Sequence, residues 1–304
     1  MSFEDFKAKR DELRYWFSSE DTNCVETQVS NLVWNIGAYR IIREARVLSP
    51  QDEEGNHTIN SLMHGLLDEC FFDSIGSAIR RQLDIGDEKK ERLHVWSLMR
   101  ILNELDRHAG LFTREHMLRV SGLPYDYEED EAWWLNAHLG TRTYPYDYGR
   151  KCHRWEDAKR KHEEIDKISG SVSTARKPSD QLDVERIKKL KQRLNAPELT
   201  HWVNKFVAHA ATVESRAHKP PEMTPATWGH LCEVQEAICR VAMFVHVVLL
   251  GGPSGSFFAA PTYDHLRYLE CPLVSPEQVR SLREKCEEYR QEVESWGRID
   301  FGEV

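Results

Sequence analysis

Along nearly the whole of this chain the apolar residues recur three and four positions apart, and no stretch alternates apolar with polar in the manner of a strand. The clearest case is Val29, Leu32, Val33, Ile36, Tyr39, Ile42 and Ala45, which fall on one side of a helix running from about Val25 to the stop at Ser49-Pro50. Ser2 with Asp5 forms a capping box that opens an earlier helix ending near Phe17. Further helices are expected over Thr58–Leu83, Glu91–His108 and a short segment after Thr113. Of these, Met63–Ile79 is rich enough in Leu, Phe and Ile to be central. The expected class is all-α.

Between Gly122 and Gly149 the periodicity fails. Pro124, Tyr125, Tyr127, the acidic run Glu128–Glu131, Trp133, Trp134, Tyr144, Pro145, Tyr146 and Tyr148 read as an inserted aromatic-rich excursion, either a lid packed over the bundle or a surface that stacks on a partner or on bases. Helix resumes at Cys152–Ile168. The Ser-rich loop Ser169–Thr174 is the candidate mobile connector, followed by helices at Asp180–Leu194 and Pro197–Ala211. Thr224-Pro225 supplies an N-cap and a proline at the first helical position for a helix reaching Leu250, apolar nearly all round in its second half and so placed centrally. Gly251-Gly252-Pro253 ends it, and a charged helix, Ser275 to about Trp296, closes the chain. The division expected is a helical bundle over 1–250, with 122–149 inserted, and an extension over 251–304 packing on it.

At 304 residues the chain can bury roughly three quarters of its unfolded surface. A net charge of −9 argues against wholesale coating of nucleic acid, although a local basic patch remains possible. Seven cysteines without CxxC spacing read as reduced thiols. Charge studs Phe3–Phe17, where a secretory signal would be apolar. The longest apolar run, Val241–Leu250, is too short for a bilayer and is broken by His246. The expectation is a soluble cytoplasmic protein with no membrane partner.

Several chemistries are disfavoured by pattern. Gly251–Ser256 lacks the Lys-Ser/Thr of a phosphate loop and follows a helix instead of preceding one. Cys232 and Cys239 lie two helical turns apart, about 10 Å, too far to share one zinc, and read as core. No HExxH or GxSxG occurs, so neither a metal nor a cofactor is expected. Cations cluster over Lys151–Arg193 among interleaved carboxylates, which suits a solvated face. The cleaner sub-run containing Lys188, Lys189, Lys191 and Arg193 is a candidate phosphate-contacting, RNA-binding surface.

The remaining candidate is the helix around residue 205. At 100° per residue Trp202, Val203, Phe206, Val207 and Ala210 form an apolar arc, while His201, Lys205 and His209 stand at i, i+4 and i+8 on the other side beside Asn204. Imidazole, ammonium and amide on one ridge suit phosphate chemistry. The neighbouring cation disfavours protonation of His209 and keeps it available as a base.

The order Asn204-Lys205-x-x-Ala208-His209 resembles the signature of the HEPN superfamily, in its abortive-infection U-type branch, where Arg-Asn-Lys-x-x-Ala-His is common. The apolar helix Phe71–Leu83, the charged loop with Val95-Trp96-Ser97-Leu98, and the apolar helix after the motif are also similar to that branch, so the resemblance spans about Val25–Leu250 without the excursion. It implies a HEPN-like bundle acting in phage defence or toxin–antitoxin systems. It further implies metal-independent RNA cleavage at a homodimer cleft, with a cognate antitoxin or defence partner. Carried onto this chain, His209 is the general acid/base, Lys205 binds phosphate, Asn204 orients the site and His201 is a second proton donor. Where the family has its arginine this chain has Val203, on the apolar arc. That departure leaves two readings open: an RNase tolerating the loss, and a silent scaffold binding RNA or a partner protein. An unrelated helical bundle with an accidental match is a third.

Overall fold

The computed structural model describes residues 2–86, 95–138, 148–207, 227–258, 262–264, 266–267, 269 and 276–296. Among them there is no strand, only two isolated bridges, Gln51 with His57 and Thr113 with Gln181. The chain is all-α. Two compact units divide at 259/260.

In the first unit α1 (Phe3–Phe17) opens on the Ser2–Asp5 capping box and buries Phe6, Leu13 and Phe17. Next, α2 (Val25–Leu48) buries Val25, Val29, Leu32, Ile36 and Tyr39, the stripe its spacing dictates, and Ile42 and Ala45 are half-buried. The third helix, α3 (Ser61–Leu83), is capped by Asn60, whose side chain accepts from the Met63 amide. Its apolar content misleads. Phe71, Ile75 and Ile79 are buried, yet Leu62 and Leu66 are exposed, so only the second half is central. Along the first half α2 still runs beside it, with Arg46 donating to His64 and Asp68, and both helices leave apolar residues exposed there, Val47 and Leu48 on α2. The Tyr39 ring lies flat on Phe71 at 3.8 Å.

A fourth helix, α4 (Leu98–Arg107), starts at the Ser97 cap, later than the expected Glu91. Residues 95–97 are not helical, because the Ser97 side chain caps the Arg100 amide from an extended backbone, and 91–94 lie outside the described residues. It is followed by α5 (Arg114–Val120), capped by Thr113 as the sequence suggests. The aromatic stretch is partly helical, a correction to the reading of a broken pattern. Its α6 (Glu128–His138) packs along α7 (Tyr148–Ser169), and Leu123, Tyr127, Trp155 and Ala158 make a small cluster apart from the main core. Trp133 is 60% exposed.

Past the Ser-rich segment Ser169–Thr174, the loop after α7 is strapped down over residues 178–183. The Arg114 and Glu115 amides donate to Asp180 and Pro178 carbonyls, and the Leu182 and Asp183 amides to those of Phe112 and Ile168. Beneath it lies a buried polar network. Fully buried Arg114 donates to Asp166 (2.7 Å), Asp180 (3.1 Å) and His162 Nδ1 (3.0 Å). Arg176 grips both oxygens of Asp166 and donates to the Tyr127 hydroxyl. The far ring nitrogen of His162, Nε2, faces the Tyr125 carbonyl at 2.9 Å and must carry the proton, so the ring is neutral. Burial, then Arg114 and Arg176, hold its pKa below the ordinary value despite the Tyr125 carbonyl.

The chain continues through α8 (Val184–Arg193), α9 (Pro197–Trp202) and α10 (Trp228–Met243). The last two each run on into a π-helical turn, Val203–Val207 and Phe244–Leu249. For α10 the described N-cap is Thr227, boxed with His230; Thr224-Pro225 falls outside the described residues. Ile238, Val241, Ala242, Val245 and Leu249 are buried, which places this helix centrally. Beyond Gly251 the chain still belongs to this unit: Phe257 is buried, and Phe258 packs on Trp34. The second unit, residues 260–304, contains α11 (Pro276–Trp296).

Candidate functional site

Pro197 in the first turn starts α9, Leu199 roots it in the core, and the segment packs against α3. The approach is close because α3 carries Gly76 there: a Cβ at that position would stand 2.8 Å from Trp202 Cζ3 and 2.9 Å from Val203 Cγ2. Val203 is 1% exposed. Its place on the apolar arc is therefore real, and the position expected for an arginine is a packing position.

The polar ridge is altered by the π-turn. Hydrogen bonding from i to i+5 widens the turn, so Val203–Val207 rotates by less than the 100° per residue assumed for an α-helix. Four α-helical steps overshoot a full turn, so the smaller rotation brings Lys205 more nearly over His201 on the same face. His201, Asn204 and Lys205 are all half-buried. His209 lies outside the described residues.

Three cavities adjoin this region. One of about 260 Å³ is lined by Ser77, Arg80, Arg81, Asp84 and Val203. It shares Arg81 and Asp84 with a second, of about 380 Å³, that reaches Asp21, Asn23, Gln28, Val95 and Trp96. On the other flank, a cavity of about 540 Å³ is lined by Asp68, Glu69, Phe72, Asp73, Leu199, Trp202, Thr227, Trp228 and Leu231. His201, Asn204 and Lys205 line none of the three. The walls come instead from Trp202 and Val203, members of the apolar arc.

Two cations outside the basic stretch Lys151–Arg193 share a cavity with the motif helix. Arg80 and Arg81 are exposed in the last turn of α3. Cations there complement the helix dipole, which accounts for their residue type without a ligand. Their position beside Val203 is a separate fact. Of the other basic candidates, Lys188 is paired with Glu185 at 2.6 Å and Lys191 with Asp106 at 2.5 Å, so two of the four charges are spent within the chain. Lys189 and Arg193 are exposed.

Cys239 is half-buried against the core, and burial pushes its thiol up to about 11, which makes it inert at neutral pH. Cys232 is half-exposed and takes a hydrogen bond from Arg40, so it is not a core residue as its spacing suggested. Among the described residues no group of three or more His, Cys, Asp or Glu could hold a metal, and no helix is long and apolar enough to cross a membrane.

Comparison with protein-family models, with curated proteins and with solved structures finds no match for this chain.

Proposed function

We propose that this chain is a HEPN-type endoribonuclease or toxin of a phage-defence or toxin–antitoxin system, cutting RNA without a metal in a cleft between two copies. In this reading the fold is a HEPN-like bundle. His209 moves the proton, Lys205 binds phosphate, Asn204 orients the site and His201 is the second donor. The observation that carries the reading is the shared cavity of Val203, Arg80 and Arg81. It sets two guanidinium side chains of α3 at the cavity bordered by residue 203, the position where the resemblance expects an arginine. An arginine binds a strained phosphodiester with a planar fork that an ammonium lacks.

The test is incubation of purified protein with tRNA, mRNA and rRNA in excess chelator, beside His209→Ala and the double variant Arg80→Ala/Arg81→Ala. Cleavage by wild type, lost in the first variant and reduced about 10²-fold or more in the second, supports the reading. RNA left intact over a wide protein range, with His209→Ala behaving as wild type in cells, overturns it. Light scattering at micromolar concentration should show a dimer.

One observation favours a second reading, a silent scaffold that binds RNA or a partner protein. Val203, at the position where the resemblance expects the arginine, is buried. Saturable RNA binding with no cleavage would select this reading.

A further inference from the structure

The cavity on the far flank of α9 differs in chemistry from the one beside Val203. Its floor is apolar, with Leu199 and Leu231 both buried. Phe72, Trp202 and Trp228 stand half-buried around it, with Phe72 edge-on to Trp202 at 6.3 Å and 86°. Its charged lining is Asp68, Glu69 and Asp73, and no Lys, Arg or His lines it among the described residues. Asp68 is already committed, since Arg46 and the Tyr39 hydroxyl both donate to it. Glu69 and Asp73 are exposed and supply the net negative charge.

We propose that this cavity binds a small organic cation, an ammonium or guanidinium joined to an apolar body. A volume of about 540 Å³ lies within the range of small-molecule sites. The carboxylates attract positive charge and repel an anion. Of the two indoles, Trp202 carries no guanidinium over its ring among the described residues, whereas Trp228 already has Arg40 and Arg43 at 6.0 and 5.0 Å from its centroid. The same chemistry thus already operates within this chain, and Arg43 does not itself line the cavity. The leucine floor rewards an apolar body, which distinguishes the ligand class from a bare inorganic cation. Phosphate is disfavoured here, so this flank and the arginine-lined flank are assigned opposite charges of ligand.

The probes are phenethylamine, its neutral isostere 2-phenylethanol and the anion 3-phenylpropionate, titrated into the full chain by calorimetry. A phenylalanyl-arginine amide tests whether the cation comes from a polypeptide; binding more than tenfold tighter than phenethylamine assigns it to that source. The expected result is saturable binding of the amine, at least tenfold weaker binding of the alcohol, and none of the anion. Glu69→Gln/Asp73→Asn alters exposed side chains and should weaken the amine at least tenfold while leaving Tm unchanged. Trp202→Phe, checked for an unchanged circular dichroism spectrum, should weaken it several-fold. Equal binding of alcohol and amine, an amine affinity indifferent to the carboxylate pair, or no saturation by either cation would overturn the proposal. RNA cleavage is not part of the readout, so the result stands apart from the nuclease reading.

Discussion

Gly76 and Val203 are fitted so closely that a single methyl group on the glycine would lie 2.9 Å from the valine Cγ2. The contact sets how near the motif segment can come to α3. A substitution here tests two opposing effects. Replacing a mid-helix glycine by alanine gains up to about 1 kcal/mol from propensity, and overpacking costs about 1–3 kcal/mol. Valine has the overpacking with little of the gain, because its β-branch restricts it in a helix. Gly76→Val should therefore lose about 2 kcal/mol in urea denaturation. Unchanged stability would mean that Trp202 and Val203 yield easily and that α3 does not fix the motif helix.

The same packing changes what can be learned from restoring the motif arginine. At 1% exposure, position 203 is packed against Gly76, and the cavity it borders is already flanked by Arg80 and Arg81, so a guanidinium there meets like charge. Val203→Arg should cost several kcal/mol, as burial of an unpaired charge does, and yield little folded protein. Loss of the cooperative thermal transition is the expected outcome. Arg80→Ala and Arg81→Ala, by contrast, change exposed side chains and should stay within about 0.5 kcal/mol of wild type. A well-folded Val203→Arg protein would show that the helix can roll to expose this position.

How far the sequence predicted these features depends on what kind of regularity each one leaves. The α2 stripe and the Ser2 cap are local, and periodicity or a four-residue pattern reports them directly. The burial of Val203 was legible for the same reason. The exposure of Leu62 and Leu66 was not, because apolar composition alone does not say which half of a helix meets the core. The π-turn leaves no mark in composition: Val203–Val207 satisfies α-helical spacing as written, and only the backbone reveals the wider turn. The Arg114 network joins residues far apart in sequence, so His162 and Asp166 read as part of a solvated basic stretch. Arg80 and Arg81 were visible as helix-terminal cations, but nothing local to them points to a cavity shared with residue 203.

Arg114 ties α5 to α7 and to the loop beyond it, and its charge is buried. Arg114→Met would leave Asp166 held by Arg176 alone and Asp180 without its ion-pair partner. Removal of one member of a buried ionic network costs about 3–5 kcal/mol. The expected result is a fall of that size in unfolding free energy, with proteolytic cutting in the loop 170–183 appearing first. A loss under about 1 kcal/mol would mean that the strapping backbone hydrogen bonds suffice to hold the loop.

Acid should destabilise the fold well before carboxylates titrate. Three imidazoles, His64, His162 and His246, have pKa values depressed below about 6.5, in each case by burial first and then by a nearby arginine. In the unfolded chain each takes up a proton near 6.5, and in the folded chain each resists it. The unfolded state thus binds more protons, and stability, complete above about 6.5, is lost as pH falls toward the folded values. Asp68, Asp166 and Asp180 have depressed values too: Arg46 lowers the first, and for the other two hydrogen bonds outweigh burial. Their contribution disappears only below about pH 4, so the interval from 6.5 to 5 isolates the histidines. His246 is the cleanest probe, since its ring is buried and stacks on Phe17 at 4.7 Å. His246→Phe should match wild type in Tm at pH 8 and show a shallower decline between pH 6.5 and 5 by scanning calorimetry. An identical decline in both proteins would remove His246 from the acid response and leave it to His64 and His162.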